Sequence, residues 1–187
     1  SLEYDRSFLA ARILLDKINA NMIISGAFGL FEKKTVIAVG GYDSSTMGED
    51  MELVVRLHEF SRMNRKPYKI DFAQDAICWS QTPEKLSELG KQRKRWQRGL
   101  FQCMWGHRKM LANPRYGAVG LLSYIYFLFY ELLSPFIELF GILTMVLSVM
   151  MDMLNVKFML AFLACYALYG ILLTLTAYFS RIVSISS

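Results

Sequence analysis

The sequence predicts an α/β domain that is followed by interfacial and transmembrane helices. Short apolar runs typical of strands, at 22–24, 68–72 and 76–79, alternate with helical patterns in the first half of the chain. Residues 1–116 hold 19 Lys and Arg against 13 Asp and Glu, whereas residues 117–187 hold 2 against 3. Five charges in 71 residues are too few for a water-exposed domain. The C-terminal third is therefore expected to face lipid and the rest water.

The composition excludes several classes of protein. Hydrophobic residues make up 54% of the chain, which a disordered protein would not contain. Three cysteines without a Cys-x-x-Cys pair argue against a disulfide framework and a zinc site. The chain begins Ser1-Leu2 with neither Met nor a signal-peptide pattern, so we expect it to be an internal piece of a longer protein.

The water-facing part begins with a helical pattern over residues 3–20, which leads into the strand candidate at 22–24. Ser25, Gly26 and Ala27 follow, and their small side chains permit close approach of a backbone or a ligand. A polar loop then precedes a second helical pattern that starts at Glu49. The two later strand candidates follow this helix.

A basic amphipathic helix is predicted from Pro83 to about Met110. Between Lys85 and Arg115 there are nine Lys and Arg and one acidic residue. Such a helix, placed just before lipid-facing sequence, suits the surface of an anionic membrane leaflet. A solvated charged face on a globular helix is the alternative.

Two membrane segments are predicted after residue 116. An apolar stretch at 118–151 would form about 51 Å of helix, longer than a bilayer core of about 30 Å, so a break near Pro135 is expected. A second span is expected at 156–179. The basic residues place 1–116 on the cytoplasmic side of an integral protein of the plasma or inner membrane.

The first candidate for chemistry is the pair Glu49-Asp50, which follows Gly48 where a loop becomes a helix. A carboxylate placed there can reach a substrate hydroxyl as a general base. Acidic residues also favour the positive end of a helix dipole without any catalytic role.

The second candidate is the set Gln92, Arg95 and Trp96, which share one helical face. A guanidinium binds phosphate with two hydrogen bonds, and an indole offers a flat surface to a sugar. Packing of the indole in a core and contact of arginines with lipid headgroups are the alternatives. The third candidate is the small-residue segment Ser25, Gly26 and Ala27, for which a tight turn is the simpler interpretation.

Taken together, the three motifs resemble the membrane-embedded family 2 glycosyltransferases, which include cellulose, chitin, hyaluronan and poly-N-acetylglucosamine synthases. Gly48-Glu49-Asp50 is similar to that family's Glu-Asp motif, and Gln92, Arg95 and Trp96 match its Gln-x-x-Arg-Trp motif. Ser25-Gly26-Ala27 resembles its acceptor-side segment. The order of the motifs also agrees, with membrane helices last.

The resemblance implies the C-terminal part of a GT-A-type catalytic domain at 1–83, an interfacial Gln-x-x-Arg-Trp helix at 84–116 and a transmembrane region at 117–187. It implies inverting transfer from a UDP-sugar to a membrane-associated polysaccharide. Asp50 would be the base and Glu49 its supporting partner. Gln92, Arg95 and Trp96 would contact the donor diphosphate and the acceptor, and the small residues would lie beside the acceptor.

The family's donor and metal site is not found in this sequence, because no Asp-x-Asp motif is present. The resemblance therefore implies a divalent metal, Mg²⁺ or Mn²⁺, held by a missing N-terminal half. We expect the 187-residue chain alone to be inactive. A non-processive transferase acting on a lipid carrier and a non-catalytic membrane module remain alternatives, and nucleic-acid binding is not expected.

Overall fold

The computed structural model describes residues 14–24, 26, 28–71, 73, 83, 85–153 and 155–186, with the backbone alone at 173 and 176–186. Helical turns occupy 14–17, and longer elements follow. They are α1 Lys33–Ala38, α2 Glu49–Met63, α3 Leu86–Gly106, 3₁₀ turns at Arg108–Met110 and Pro114–Tyr116, a mixed π- and α-helical segment Val119–Leu132, α4 Ser134–Met150 and α5 Val156–Ser186.

The predicted α/β class is wrong for the part of the chain that the structure describes, which contains helices and no strand. Residues 22–24 and 68–71 belong to no helix or strand, and 76–79 lie outside the described residues. The side chain of Asn19 supplies one physical reason. It donates to the carbonyl of Tyr68 at 2.9 Å and accepts from the backbone N–H of Ile70 at 3.0 Å. An amide side chain thus takes backbone groups that a neighbouring strand would pair with.

The chain divides into two units, of which one comprises Leu15–Leu133 and the other includes α4 and α5. The core of the first unit lies between α2, the second half of α3 and the Val119–Leu132 segment. Its buried side chains are mainly apolar and include Met22, Met51, Val55, Leu100, Cys103, Met104, Met110, Val119 and Phe127. Two hydrogen bonds support this packing, from the Ser123 hydroxyl to the carbonyl of Ala20 at 2.5 Å and from the Tyr124 hydroxyl to the carbonyl of Met104.

The loop between α1 and α2 is fastened to α2 by Arg56. Its guanidinium donates to the carbonyl of Val39 at 2.8 Å and to that of Gly41 at 2.9 Å. Gly40 and Gly41 both have positive φ, of 92° and 76°, which glycine adopts at low cost. The first residues of the loop are therefore held against the middle of α2.

In the second unit, α4 buries none of its side chains although its sequence is strongly apolar. Pro135 is the second residue of this helix. Among the described residues, no single helix meets the length and hydropathy expected of a membrane span. The Val119–Leu132 segment and α4 reach this length and hydropathy only when they are counted together, as a bent pair.

Candidate functional site

Asp50 lies in the first turn of α2, where Gly48 precedes the helix. Three acidic residues, Glu49, Asp50 and Glu52, occupy this turn and interact favourably with the positive end of the helix dipole. One carboxylate oxygen of Asp50, Oδ1, accepts from the backbone N–H of Met51 at 2.9 Å. Asp50 is half-buried, whereas Glu49 is exposed.

The second carboxylate oxygen of Asp50 lies against Gly26. A Cβ atom added to Gly26 would be 2.7 Å from Oδ2 of Asp50, closer than any normal contact. The structure thus brings the predicted small-residue segment and the predicted base together at this glycine. Gly26 itself is exposed. Ser25 and Ala27 lie outside the described residues.

Gln92, Arg95 and Trp96 lie in the first half of α3, at the helical spacing that puts them on one face. Arg95 is exposed and Gln92 is half-buried. Trp96 is 51% exposed, and the guanidinium carbon of Arg93 lies 5.7 Å from the centroid of its ring. The indole is therefore a surface side chain and not part of the core, so the core-packing alternative does not hold for Trp96.

A contact between two glycines joins this helix to the loop that carries Asp50. A Cβ atom on Gly99 would lie 2.7 Å from the backbone nitrogen of Gly48 and 2.8 Å from its Cα. The backbone N–H of Met47 also donates to Oε1 of Gln102 at 3.0 Å. Gly48, immediately before Glu49-Asp50, thus rests directly on α3, one turn beyond Arg95 and Trp96.

Sequence reasoning missed Gly99, although a signal was present. Gly99 follows Gln92 by seven residues, or two helical turns, and so continues the same face. A glycine inside a helix costs stability unless close packing needs it. A glycine at position 99 therefore indicates that another backbone packs against the face of Gln92, Arg95 and Trp96.

A network of charged side chains, also missed, connects α2 to the end of α3. The ring nitrogens of His107 lie 2.5 Å from Oε2 of Glu59 and 3.3 Å from Oε1 of Glu52. Glu52 is buried and accepts from Arg56 at 2.5 Å. The partners of His107 are 48 and 55 residues away in the sequence, so no local pattern indicated them.

Cys103 is a buried residue of α3 near the acidic start of α2. Burial raises the pKa of its thiol to about 12, and the negative charges of Glu52 and Asp50 act in the same direction. A thiol with this pKa stays protonated at neutral pH and is a poor nucleophile. Cys103 is therefore a core residue beside the site.

No metal-binding group of three or more His, Cys, Asp or Glu side chains occurs among the residues the structure describes. The acidic side chains of this described part therefore do not form a site for the divalent metal that the sequence resemblance implies.

The site combines a half-buried carboxylate with a helix that displays an amide, a guanidinium and an indole, features suited to transfer of a sugar from a phosphate-bearing donor. A protein-family model described as glycosyl transferase family group 2 matches residues 1–185, so the chain belongs to that family of glycosyltransferases. Poly-beta-1,6-N-acetyl-D-glucosamine synthase of Staphylococcus aureus (strain COL) is 37% identical to the chain over 90 residues. The enzyme of the same name from Staphylococcus epidermidis is 36% identical over 90 residues.

These alignments cover 48% of this chain and 19% of each relative. The region compared is thus about a fifth of the curated relatives. No solved structure matches the chain.

Proposed function

We propose that the complete protein is an inverting glycosyltransferase that extends a membrane-associated polysaccharide from a UDP-sugar. The observation that carries the proposal is the backbone contact of Gly48 with Gly99, which ties the loop of Asp50 to the helix of Arg95 and Trp96. The matched family and the polysaccharide synthases among the relatives favour this chemistry. By analogy with those relatives, the product is a polymer of N-acetylglucosamine.

In the proposed reaction, Asp50 acts as the general base. The acceptor hydroxyl oxygen attacks the anomeric carbon of the donor, its proton passes to the free oxygen of Asp50, and the bond to the diphosphate breaks with its electron pair on the leaving oxygen. Gly26 lies against that oxygen, and its lack of a side chain keeps a larger group from crowding the carboxylate. Ser25 and Ala27 are proposed to border the same approach, and Glu49 to support Asp50.

Arg95 and Trp96 are proposed to act on the other partners of the reaction. An exposed guanidinium can form two hydrogen bonds to the departing diphosphate and offset the charge that builds there. The half-exposed indole of Trp96 offers its flat face to the acceptor sugar, with Gln92 orienting it. The apolar helices after residue 116 are proposed to border the path of the polymer through the membrane.

The test is Asp50→Asn in the full-length enzyme, measured as sugar incorporation from labelled donor and as donor binding. The change removes a basic oxygen at nearly constant volume, so transfer should fall about 10²–10⁴-fold while donor binding is retained. Asp43→Asn is the matched control, because Asp43 is an acidic residue of the preceding loop whose side chain accepts from the backbone N–H of Ser45 at 2.9 Å.

The assignment of Asp50 fails if Asp50→Asn keeps wild-type turnover. It also fails if Asp43→Asn lowers transfer as much. The length of the wild-type product separates polymer extension from single addition to a lipid carrier. A non-catalytic membrane module would show no transfer by the wild type.

A further inference from the structure

A basic groove lies beside the C-terminal end of α2, away from the carboxylate of Asp50. It is partly open to solvent, has a volume of about 770 Å³ and is lined by Asn19, Arg62, Arg65, Lys66, Tyr68 and Arg115, among others. This volume is in the range of pockets that hold organic ligands and exceeds what a bare ion needs.

The next observation is the pairing of the four cationic side chains of this groove, Arg62, Arg65, Lys66 and Arg115. No carboxylate lines the groove, and no ion pair joins Arg62, Arg65, Lys66 or Arg115 to a described Asp or Glu. Cations at the end of a helix are favoured by its dipole, which accounts for the three from α2 and its following turn. Arg115 belongs to a separate 3₁₀ turn, so the dipole of α2 does not explain why it lies beside the other three cations.

The walls of the groove are held in place before any ligand arrives. Nε of Arg62 donates to the hydroxyl of Tyr68 at 3.0 Å, and its guanidinium carbon lies 5.4 Å from the centroid of that ring. The carbonyl of Tyr68 is fixed in turn by the amide of Asn19. The amino group of Lys66 lies 5.0 Å from the centroid of the Phe60 ring. Preorganised cations lose less entropy when they bind an anion.

Arg65 occupies a backbone conformation in which glycine is the usual residue. Its φ is 52°, and the backbone N–H of the next residue, Lys66, donates to the carbonyl of Ser61 at 2.9 Å to close the helix end. Glycine would relieve the strain at this position. An arginine there instead adds a cation to the groove at some cost in backbone energy.

We propose that this groove is an anion site that binds the phosphate group of an organic ligand. Guanidinium groups match the geometry of phosphate oxygens, and Lys66 adds a point charge. The phosphate belongs either to the headgroup of an anionic lipid or to a soluble phosphorylated compound, and the two sources share the same contacts.

The test uses the full-length protein and follows its thermal midpoint in two arms. One arm compares nanodiscs of phosphatidylcholine with nanodiscs that also contain phosphatidylglycerol. The other titrates the detergent-solubilised protein, free of added phospholipid, with glycerol 3-phosphate. The variants are Arg65→Gln with Arg115→Gln, and the control is Lys33→Gln with Lys34→Gln, which removes the same charge from exposed positions of α1.

The proposal predicts saturable, salt-sensitive stabilisation in at least one arm. The double variant should bind at least about tenfold more weakly, as expected for the loss of charge-assisted hydrogen bonds, and the control should bind like wild type. A response to phosphatidylglycerol alone identifies a lipid headgroup, and a response to glycerol 3-phosphate identifies a soluble ligand.

The proposal is overturned if the wild type responds in neither arm, if the double variant responds like wild type, or if the control loses as much as the double variant. Arg65→Gly covers the case in which the double variant does not fold. It relieves the positive φ and is expected to fold while binding several-fold more weakly.

Discussion

The two helices that carry the candidate site are held in different ways. Helix α2 buries eight of its 15 residues, and they are distributed from Met51 to Ser61. Helix α3 has 21 residues but buries only Gly99, Leu100, Cys103 and Met104, all in its second half. The proposed base thus lies at the start of a helix that is buried along its length. Gln92, Arg95 and Trp96 lie in the half of α3 that has no buried residue, before Gly99. Removing contacts of α2 should cost stability, and changing the first half of α3 should cost activity alone.

The largest combined effect on stability and activity is expected at Gly99. Gly99→Val places a side chain against the backbone of Gly48 and forces the helix and the loop apart, which should cost about 1–3 kcal/mol of unfolding free energy and most of the transfer activity. Gly90→Ala is the matched control in the same helix, because nothing lies within 4 Å of its added Cβ atom. That change should stabilise the protein by about 0.5–1 kcal/mol.

Thermal or chemical unfolding in detergent and a transfer assay measure both changes. Equal stability and activity of Gly99→Val and wild type would show that the glycine contact does not hold α3.

A pH dependence of stability should originate in the buried part of α2. Burial lowers the pKa of His58 to about 4, and its ring lies between the carbonyl of Asn21 at 2.7 Å and the hydroxyl of Tyr68 at 2.6 Å. The carbonyl only accepts, so Nε2 carries the proton and Nδ1 accepts from Tyr68. Below its usual pKa of about 6.5 the unfolded chain binds a proton that the folded chain does not.

His58 therefore contributes stability that is complete above pH 6.5 and is lost as the pH falls towards 4, by about 3 kcal/mol. The measurement is the unfolding free energy of the full-length protein across this range. His58→Gln should lower stability and flatten the curve in this window. An unchanged slope in His58→Gln would contradict the assignment.

The next effect is expected where α2 meets the end of α3. His107→Leu removes the partner that lies between Glu52 and Glu59, and the loss of hydrogen bonds to charged groups typically costs about 1.5–3 kcal/mol. His107→Gln retains an N–H donor and should recover part of the loss. If His107→Leu unfolds like wild type, the network does not connect the two helices.

The smallest effect on stability is expected at the exposed face of α3. Trp96 is 51% exposed, so Trp96→Ala should change the unfolding free energy by no more than about 0.5 kcal/mol while shortening the polymer. Arg95→Lys keeps the charge but loses the two-pronged geometry, and should slow transfer at saturating donor. Initial rate and product length are measured for both folded variants. If neither quantity changes, this face of α3 is not part of the active site.

Local residue spacing was enough to predict the positions of the main helices and the residues that share one helical face. The helical pattern from Glu49 corresponds to α2, and the pattern over 83–110 contains α3, because amphipathic periodicity is visible in a single segment. The one-face arrangement of Gln92, Arg95 and Trp96 follows from the same geometry. The match to family group 2 confirms the class of enzyme that the three motifs predicted.

Contacts between segments that are far apart in the chain could not be predicted from local sequence patterns. The strand predicted around Tyr68 and Ile70 was wrong because the side chain of Asn19 hydrogen-bonds to their backbone from 49 and 51 residues earlier in the chain. Likewise, nothing local to Gly48 signals that Gly99 lies against it. The roles assigned to the site residues and the membrane region beyond residue 116 stay predictions; the site residues are Ser25, Gly26, Ala27, Glu49, Asp50, Gln92, Arg95 and Trp96.

The contact of Gly48 with Gly99 restricts how this part of the protein can change. Where two side chains touch, a larger residue on one side is often accommodated by a smaller one on the other. Two touching backbones have no such exchange, since no residue is smaller than glycine and the nearest atoms are N, Cα and C. Whether the two positions are randomised separately or together, selection for folded, active protein should therefore recover glycine at both. Randomising Gly90 should recover most residue types. An engineer who wishes to alter acceptor or donor preference should leave this pair fixed and vary the exposed face one turn earlier.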